Sequence, residues 1–194
     1  MDILVGVSES LPRHLFDALA CYRHRVFVER LGWQLQTEHG LEFDQFDRPD
    51  TVYVVACADN QRVIGCARLL PTLHRYLLAD VFPELLQGRA APCSANVWEL
   101  SRFAAVDFDY ETASAASDFC QFSSPTAVGL LRACLASAAE RGARELITVS
   151  PLGVERLLRQ AGFEAQRFAS PRVVDGRALF ACRIAVPTVA QGLQ

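Results

Sequence analysis

Lysine is absent from the 194 residues, so all nineteen basic side chains are arginines. That excludes lysine Schiff-base chemistry. No apolar run reaches the roughly 18 residues that a membrane-crossing helix needs. The opening Met1-Asp2-Ile3-Leu4 has no basic region ahead of an apolar stretch, so no signal peptide and a cytoplasmic location are expected. Seven cysteines, at 21, 57, 66, 93, 120, 134 and 182, form no C-x-x-C pair and mostly lie in apolar stretches. Reduced buried thiols are the expectation, with a nucleophilic cysteine or a zinc site as the alternative. Four scattered histidines do not help a metal site, and no calcium-loop spacing is present. Neither metal, cofactor, nucleic acid nor membrane span is expected.

What is present is a globular composition, with 51% hydrophobic and 21% charged residues. Residues 1–194 are expected to form a single domain. Charge is uneven along the chain. From residue 125 onward there are nine arginines against five acids, whereas the first 124 residues hold ten against seventeen. A mildly basic C-terminal part either docks an acidic partner or is an ordinary solvated surface.

Periodicity and punctuation outline the elements. Residues 2–7 read as a strand and Leu11 to Arg30 as a long helix ended by Gly32. Within it Leu15, Leu19, Tyr22 and Val26 form one apolar face. Residues 34–50 read as a polar loop. Thr51–Ala58 and Val63–Leu70 flank a turn at Asp59-Asn60-Gln61-Arg62, the pattern of a hairpin. A short helix interrupted at Pro83 is expected within Tyr76–Leu86, a strand over Val97–Ala105 and irregular chain over 107–123. Ser124-Pro125 and Ser150-Pro151 read as helix starts, with Gly142 and Gly162 as the matching stops. Glu145–Ser150, Val173–Asp175 and Leu179–Val186 read as strands. The order implies an α/β (α+β) fold, a mixed central sheet flanked by helices.

Four constellations carry chemistry. Phe16, Ala20, Arg23 and Phe27 share a helix face; an arginine there either finds an anionic partner or snorkels to water. Glu42-Phe43-Asp44-Gln45-Phe46-Asp47 gathers carboxylates, and in an extended chain Glu42 and Asp44 point to one side. Such a group holds a cation, pairs with arginines, or is a solvated acidic loop. Glu99, embedded in Val97-Trp98-Glu99-Leu100-Ser101-Arg102-Phe103, is either a perturbed acid or base or half of an ion pair with an arginine. Arg68 closes an apolar strand before Pro71.

These residues, in this order and spacing, resemble the acyl-homoserine-lactone (LuxI-type) synthases. Tyr22 through Trp33 is similar to the N-terminal signature, Glu42 through Asp47 to the second block, Cys66-Ala67-Arg68-Leu69-Leu70-Pro71-Thr72 to the third and Trp98 through Phe103 to the fourth. The likeness spans residues 10–186. Arg23, Phe27 and Trp33 match the family's N-terminal trio, and Asp44, Asp47, Arg68, Glu99 and Arg102 its charged cluster.

The resemblance implies a GNAT-like (acetyltransferase-like) fold. It implies S-adenosylmethionine (SAM) as a substrate rather than a cofactor, an acyl-acyl carrier protein (acyl-ACP) as donor, and a medium-chain product such as the octanoyl lactone. Glu99 is then the expected base, and Arg23, Arg68 and Arg102 either brace the acids or hold the SAM carboxylate. Asp44 and Asp47 suit the cationic centres of SAM, with Phe27 and Trp33 against its methionine part or adenine. Phe82, Phe103, Thr148 and Val149, with Leu146 and Leu157, are expected along the acyl chain. Arg132, Arg141, Arg144, Arg156, Arg159 and Arg167 are expected toward the carrier protein. Two rivals remain: a GNAT-type N-acyltransferase using acyl-CoA, and a non-catalytic ligand-binding module. Against the first, Ser123 through Gly129 lacks the paired glycines of a pyrophosphate loop.

Overall fold

A computed structural model describes residues 1–109 and 124–187. The expected irregular segment therefore lies outside the described residues from 110 to 123, and Cys120 with it. The chain divides into two compact units, Met1–Arg68 with Arg102–Leu130, and Leu69–Ser101 with Leu131–Gln194.

In the first unit, strand β1 (Asp2–Val7) leads into helix α1 (Arg13–Arg23). The long helix expected to Arg30 changes hydrogen-bond register after Arg23 and continues as a π-helical turn, His24–Arg30. Leu31 there donates its N–H to the carbonyl of Val26, five residues back. A two-rung hairpin follows inside the expected polar loop. Its strands β2 (Thr37–Glu38) and β3 (Leu41–Glu42) join at His39-Gly40, both with positive φ. Strand β4 (Val52–Cys57) pairs antiparallel with β1, and β5 (Val63–Pro71) is its other neighbour. Every residue of β4 is buried, which is why Val-Tyr-Val-Val-Ala-Cys shows no polar alternation.

The apolar face of α1 meets this sheet as its spacing predicts. Leu15, Leu19, Tyr22 and Val26 join Tyr53, Val55, Cys57, Val63 and Cys66 in one core cluster. Fully burying such a side chain contributes about 1.5–3 kcal/mol. Tyr22 adds a polar anchor. Its hydroxyl lies 3.2 Å from the carbonyls of Ile64 and Val106 and accepts the Val106 N–H at 2.8 Å.

In the second unit, helix α2 (Leu77–Asp80) and a 3-10 turn, Pro83–Leu86, precede strand β6 (Val97–Ala104), which passes into the first unit after Ser101. Strand β7 (Glu145–Pro151) runs parallel to β6, with Leu100 opposite Thr148. Parallel neighbours need a crossover, and helix α3 (Pro125–Glu140) supplies it. Ser124 caps that helix as its sequence suggests, accepting the Ala127 N–H at 3.1 Å. Strand β10 (Arg177–Ala185) is antiparallel to β7, and β8 (Ala165–Arg167) and β9 (Arg172–Val174) are antiparallel to β10. The strand pairing is therefore mixed, with helices between strands.

Two boundaries differ from expectation. Pro151 ends β7 rather than opening a helix, and helix α4 (Leu152–Gln160) starts directly after it. Strand β8 has no β-branched or aromatic residue to announce it; its pairing with β10 creates it. Among the described residues no helix is long and apolar enough to cross a membrane.

Candidate active site

The first unit gathers three arginines and three carboxylates in one buried network. Arg23, brought in by the last turn of α1, is 1% exposed. Its Nε donates to Glu42 Oε2 at 2.6 Å, and Nη1 and Nη2 donate to the two oxygens of Asp47 at 2.8 and 3.0 Å. Arg68, on β5, forms the same kind of fork with Asp44, at 2.6 and 3.1 Å, and lies 3.2 Å from Asp47. Arg102, on β6, donates to Glu42 Oε1 at 2.9 Å and to Asp44 Oδ2 at 2.7 Å. The guanidinium is planar and forked, so it meets a carboxylate with two parallel bonds where an ammonium meets it with one. A chain without lysine is suited to this closed pattern.

The acids are equally constrained. The loop turns so that Asp47 Oδ2 accepts the Asp44 N–H at 2.7 Å and Asp44 Oδ1 accepts the Phe46 N–H at 2.8 Å. The buried Tyr53 hydroxyl donates to Asp47 Oδ1 at 2.9 Å. Burial alone would raise the Asp47 pKa, but the Arg23 and Arg68 guanidiniums outweigh it and hold the carboxyl well below the usual range. Burial, then the charge of Asp47, pushes the Tyr53 phenol above its ordinary value. Arg23 is the mirror case: burial opposes its charge, and Asp47 and Glu42 more than restore it.

Asp44 is the carboxylate that faces outward. Its side chain is 13% exposed, against 5% for Asp47 and 0% for Glu42. A cavity of about 350 Å³ opens on this side, lined by Gln34, Leu35, Gln36, Glu42, Phe43, Asp44 and Gln45. The rings of Phe27 and Trp33 stack at 4.9 Å, and the Arg102 guanidinium lies 5.5 and 5.7 Å from their centroids. The π-helical turn carries Phe27, and such turns are often found at functional sites.

Arg102 is also a backbone special case, with φ +50° inside a strand. A left-handed non-glycine residue costs on the order of 1–3 kcal/mol and interrupts the alternation of the strand. Gly65 accommodates the neighbouring stretch: a Cβ there would meet the Ala104 carbonyl at 3.2 Å.

Glu99, Phe82, Thr148 and Val149 belong to the second unit. Glu99 is fully buried on β6, and each of its oxygens accepts a backbone N–H of α2, from Leu77 at 2.9 Å and Leu78 at 2.7 Å. These are first-turn amides that have no partner within the helix. Burial, then the charge of Glu99, raises the neighbouring Tyr76 hydroxyl, which donates to the Pro92 carbonyl at 2.7 Å. Thr148 is buried beside Ser150, their hydroxyls 3.2 Å apart, while Val149 takes the other face of β7 and is half-buried. Phe82 is half-buried ahead of the 3-10 turn, and Phe103, in the first unit, is half-buried on β6.

Arg132, Arg141, Arg144, Arg159 and Arg167 are exposed. Arg141 is spent locally on Ser137 and Arg167 on Glu155. The side chains of Arg156 and Leu157 lie outside those described. No cluster of His, Cys, Asp or Glu among the described residues is arranged to hold a metal.

The structure unites Arg23, Asp44, Asp47, Arg68 and Arg102 with Phe27 and Trp33, whereas Glu99, expected in the same charged cluster, belongs to the second unit and accepts the α2 amides. It adds Glu42, which bridges two arginines, and Tyr53. Glu42 was legible in part, since an extended chain sets it on the side of Asp44. Tyr53 had no signal, lying in an apolar strand.

Comparison with known proteins gives this geometry its family. The fold is that of GNAT-like acyltransferases: a putative N-acetyltransferase from Lactobacillus plantarum superposes with a TM-score of 0.60 at 18% identity, covering 96% of this chain and 98% of that one. A family model described as autoinducer synthase matches residues 9–190. The acyl-homoserine-lactone synthase of Acinetobacter nosocomialis is 48% identical over 186 residues, 96% of this chain and all of that protein. That of Aliivibrio fischeri is 33% identical over 175 residues, 89% and 87% of the two chains. Crystal structures of TofI with an inhibitor and MTA (44% identity, TM-score 0.80, 96% and 92% coverage) and of the AHL synthase LasI (30%, 0.82, 96% and 90%) are similar throughout. The chain belongs to the autoinducer synthase family and is an acyl-homoserine-lactone synthase.

Proposed function

We propose that the protein transfers an acyl group from an acyl-ACP to the α-amine of SAM and then closes the homoserine lactone, releasing 5′-methylthioadenosine. The observation that carries this reading is the outward-facing Asp44 at the mouth of a braced acidic network, beside stacked Phe27 and Trp33. A fixed carboxylate and an aromatic pair suit a small cation bearing an ammonium and a sulfonium, with roughly 0.5–2 kcal/mol per cation–π contact. The arginines serve as braces in this reading, because each is paired with two of Glu42, Asp44 and Asp47. TofI, 44% identical, binds MTA, the product expected here.

In the first step Glu99 takes a proton from the α-ammonium through a water, help typically worth about 10²–10⁴-fold. The amine attacks the thioester carbonyl, the C–S bond breaks, and the carrier thiolate leaves with the second proton that the nitrogen sheds as the amide forms. Backbone N–H groups near the distortion at Arg102 hold the oxyanion. In the second step the SAM carboxylate attacks its own γ-carbon. The γ-carbon–sulfur bond breaks, its electrons neutralise the sulfonium, and methylthioadenosine departs. That closure is intramolecular, so positioning supplies much of its rate. Phe82, Phe103, Thr148 and Val149 line the acyl chain, with octanoyl the first chain to test. The exposed arginines of the second unit receive the acidic carrier.

A second reading concerns the donor. MesI, 26% identical with a TM-score of 0.77, is a CoA-dependent acyl-homoserine lactone synthase. The test is mass spectrometry of products from purified protein, SAM and matched panels of acyl-ACPs and acyl-CoAs. Lactone and methylthioadenosine formed from acyl-ACP support the proposal. Turnover with acyl-CoA alone transfers it to the second reading, and neither product from either donor overturns both.

A further inference from the structure

Cys66 has no part in the chemistry above, yet it is fully buried against the most unusual backbone of the site. Its Sγ donates to the carbonyl of Arg102 at 3.1 Å. Arg102 is the residue held at φ +50°, and its side chain joins Glu42 to Asp44 over the Phe27–Trp33 pair. The preceding residue, Gly65, leaves room for the carbonyl of Ala104, two residues further along the same strand. Gly65-Cys66 on β5 thus forms a seat for the distorted stretch of β6, one residue by giving space and the other by giving a hydrogen bond. A left-handed residue persists only where its surroundings over-determine it. A sulfur hydrogen-bond donor is weak, but burial excludes competing water. Burial also pushes the thiol up to about 12, so it keeps its proton at neutral pH.

We infer that Cys66 is a positioning residue for lactone synthesis: its thiol fixes the left-handed turn at Arg102, and through it the guanidinium that organises Glu42 and Asp44. The inference rests on the reading that this network binds SAM. Sulfur chemistry is not involved; the thiol acts as a donor of the right size.

A double-mutant cycle tests it, with initial rates of methylthioadenosine release at varied SAM. Cys66→Ala lowers kcat/KM for SAM about tenfold, the scale of one lost hydrogen bond. Cys66→Ser, which keeps a donor, recovers activity to within about threefold of the parent. In an Arg102→Ala background, Cys66→Ala adds less than about twofold, because residues acting as one unit are not additive. Thermal melting checks that each variant is folded; if Cys66→Ala is not, Cys66→Val fills the site without a donor and takes its place. Full activity in the donor-free variant, no recovery by serine, or an equal loss in the Arg102→Ala background overturns the inference. Failure of the SAM reading looks different: Arg102→Ala alone then leaves kcat/KM for SAM unchanged.

Discussion

Arginine meets carboxylate in two contrasting places in this molecule. In the first unit, Arg23, Arg68 and Arg102 are locked with Glu42, Asp44 and Asp47 in a network that is buried except for the outward side of Asp44. In the second, Arg167 forks onto Glu155 with about a third of each side chain exposed. The chemistry is the same, and the surroundings change what it is for. A solvated pair is screened and typically contributes about 0–1 kcal/mol. A buried pair must first repay the loss of hydration, so its stability is often no better than that of an apolar replacement. What burial adds is geometry: six charged groups held in fixed directions, with one carboxylate turned outward.

The contrast is sharpest when one partner is removed. Arg68→Met leaves Asp44 and Asp47 short of a counter-charge in a buried setting, and urea unfolding should show a loss of about 3–5 kcal/mol. A loss under about 1 kcal/mol would erase the distinction between the two places. Glu99 is a third case, a buried carboxylate that accepts two backbone amides of α2. Glu99→Gln keeps the shape but sets a donor against one α2 amide, so kcat, read as lactone formed per folded enzyme, should fall about 10²–10⁴-fold while the melting temperature falls modestly. An unchanged kcat would make Glu99 an anchor for α2 and nothing more.

Acid probes the network without mutation. Asp47 has a folded pKa depressed below its unfolded value, so its contribution is full above the ordinary carboxylate pKa of about 3.9. It drains as the pH falls from there through the depressed folded value. Urea midpoints should hold steady from neutral pH to about 4 and then drop, with a shallower drop in Asp47→Asn. The smallest effect belongs to the outer pair. Glu155→Gln should change stability by less than about 1 kcal/mol, and added salt should shrink that further.

Much of this was legible in the chain itself, for identifiable reasons. Helical spacing set Arg23 and Phe27 on one face, and extended-chain alternation set Glu42 beside Asp44. Neither rule tells which arginine meets which acid, because those contacts join residues up to sixty positions apart. Alternation misleads at Arg102. It groups that residue with Trp98 and Leu100, whereas the left-handed backbone breaks the period, and no glycine in Leu100-Ser101-Arg102-Phe103 marks the place. The polar loop concealed the β2–β3 hairpin for the opposite reason: His39-Gly40 is a fair turn, but two residues per strand are too few to show a pattern. Likewise β8 exists only because β10 offers it an edge.

The π-helical turn at His24–Arg30 makes this stretch intolerant of changes in length. The Trp33 N–H closes the turn on the Phe27 carbonyl at 2.9 Å, six residues back, so deleting one residue between them would break that closure. Trp33 would lose its place over Phe27, and with it the aromatic pair beneath Arg102. Ser, Ala or Leu could replace an outward residue of this turn one for one. A gap of a single position could not be absorbed, and homologues that keep the stacked pair should keep the count between Arg23 and Trp33.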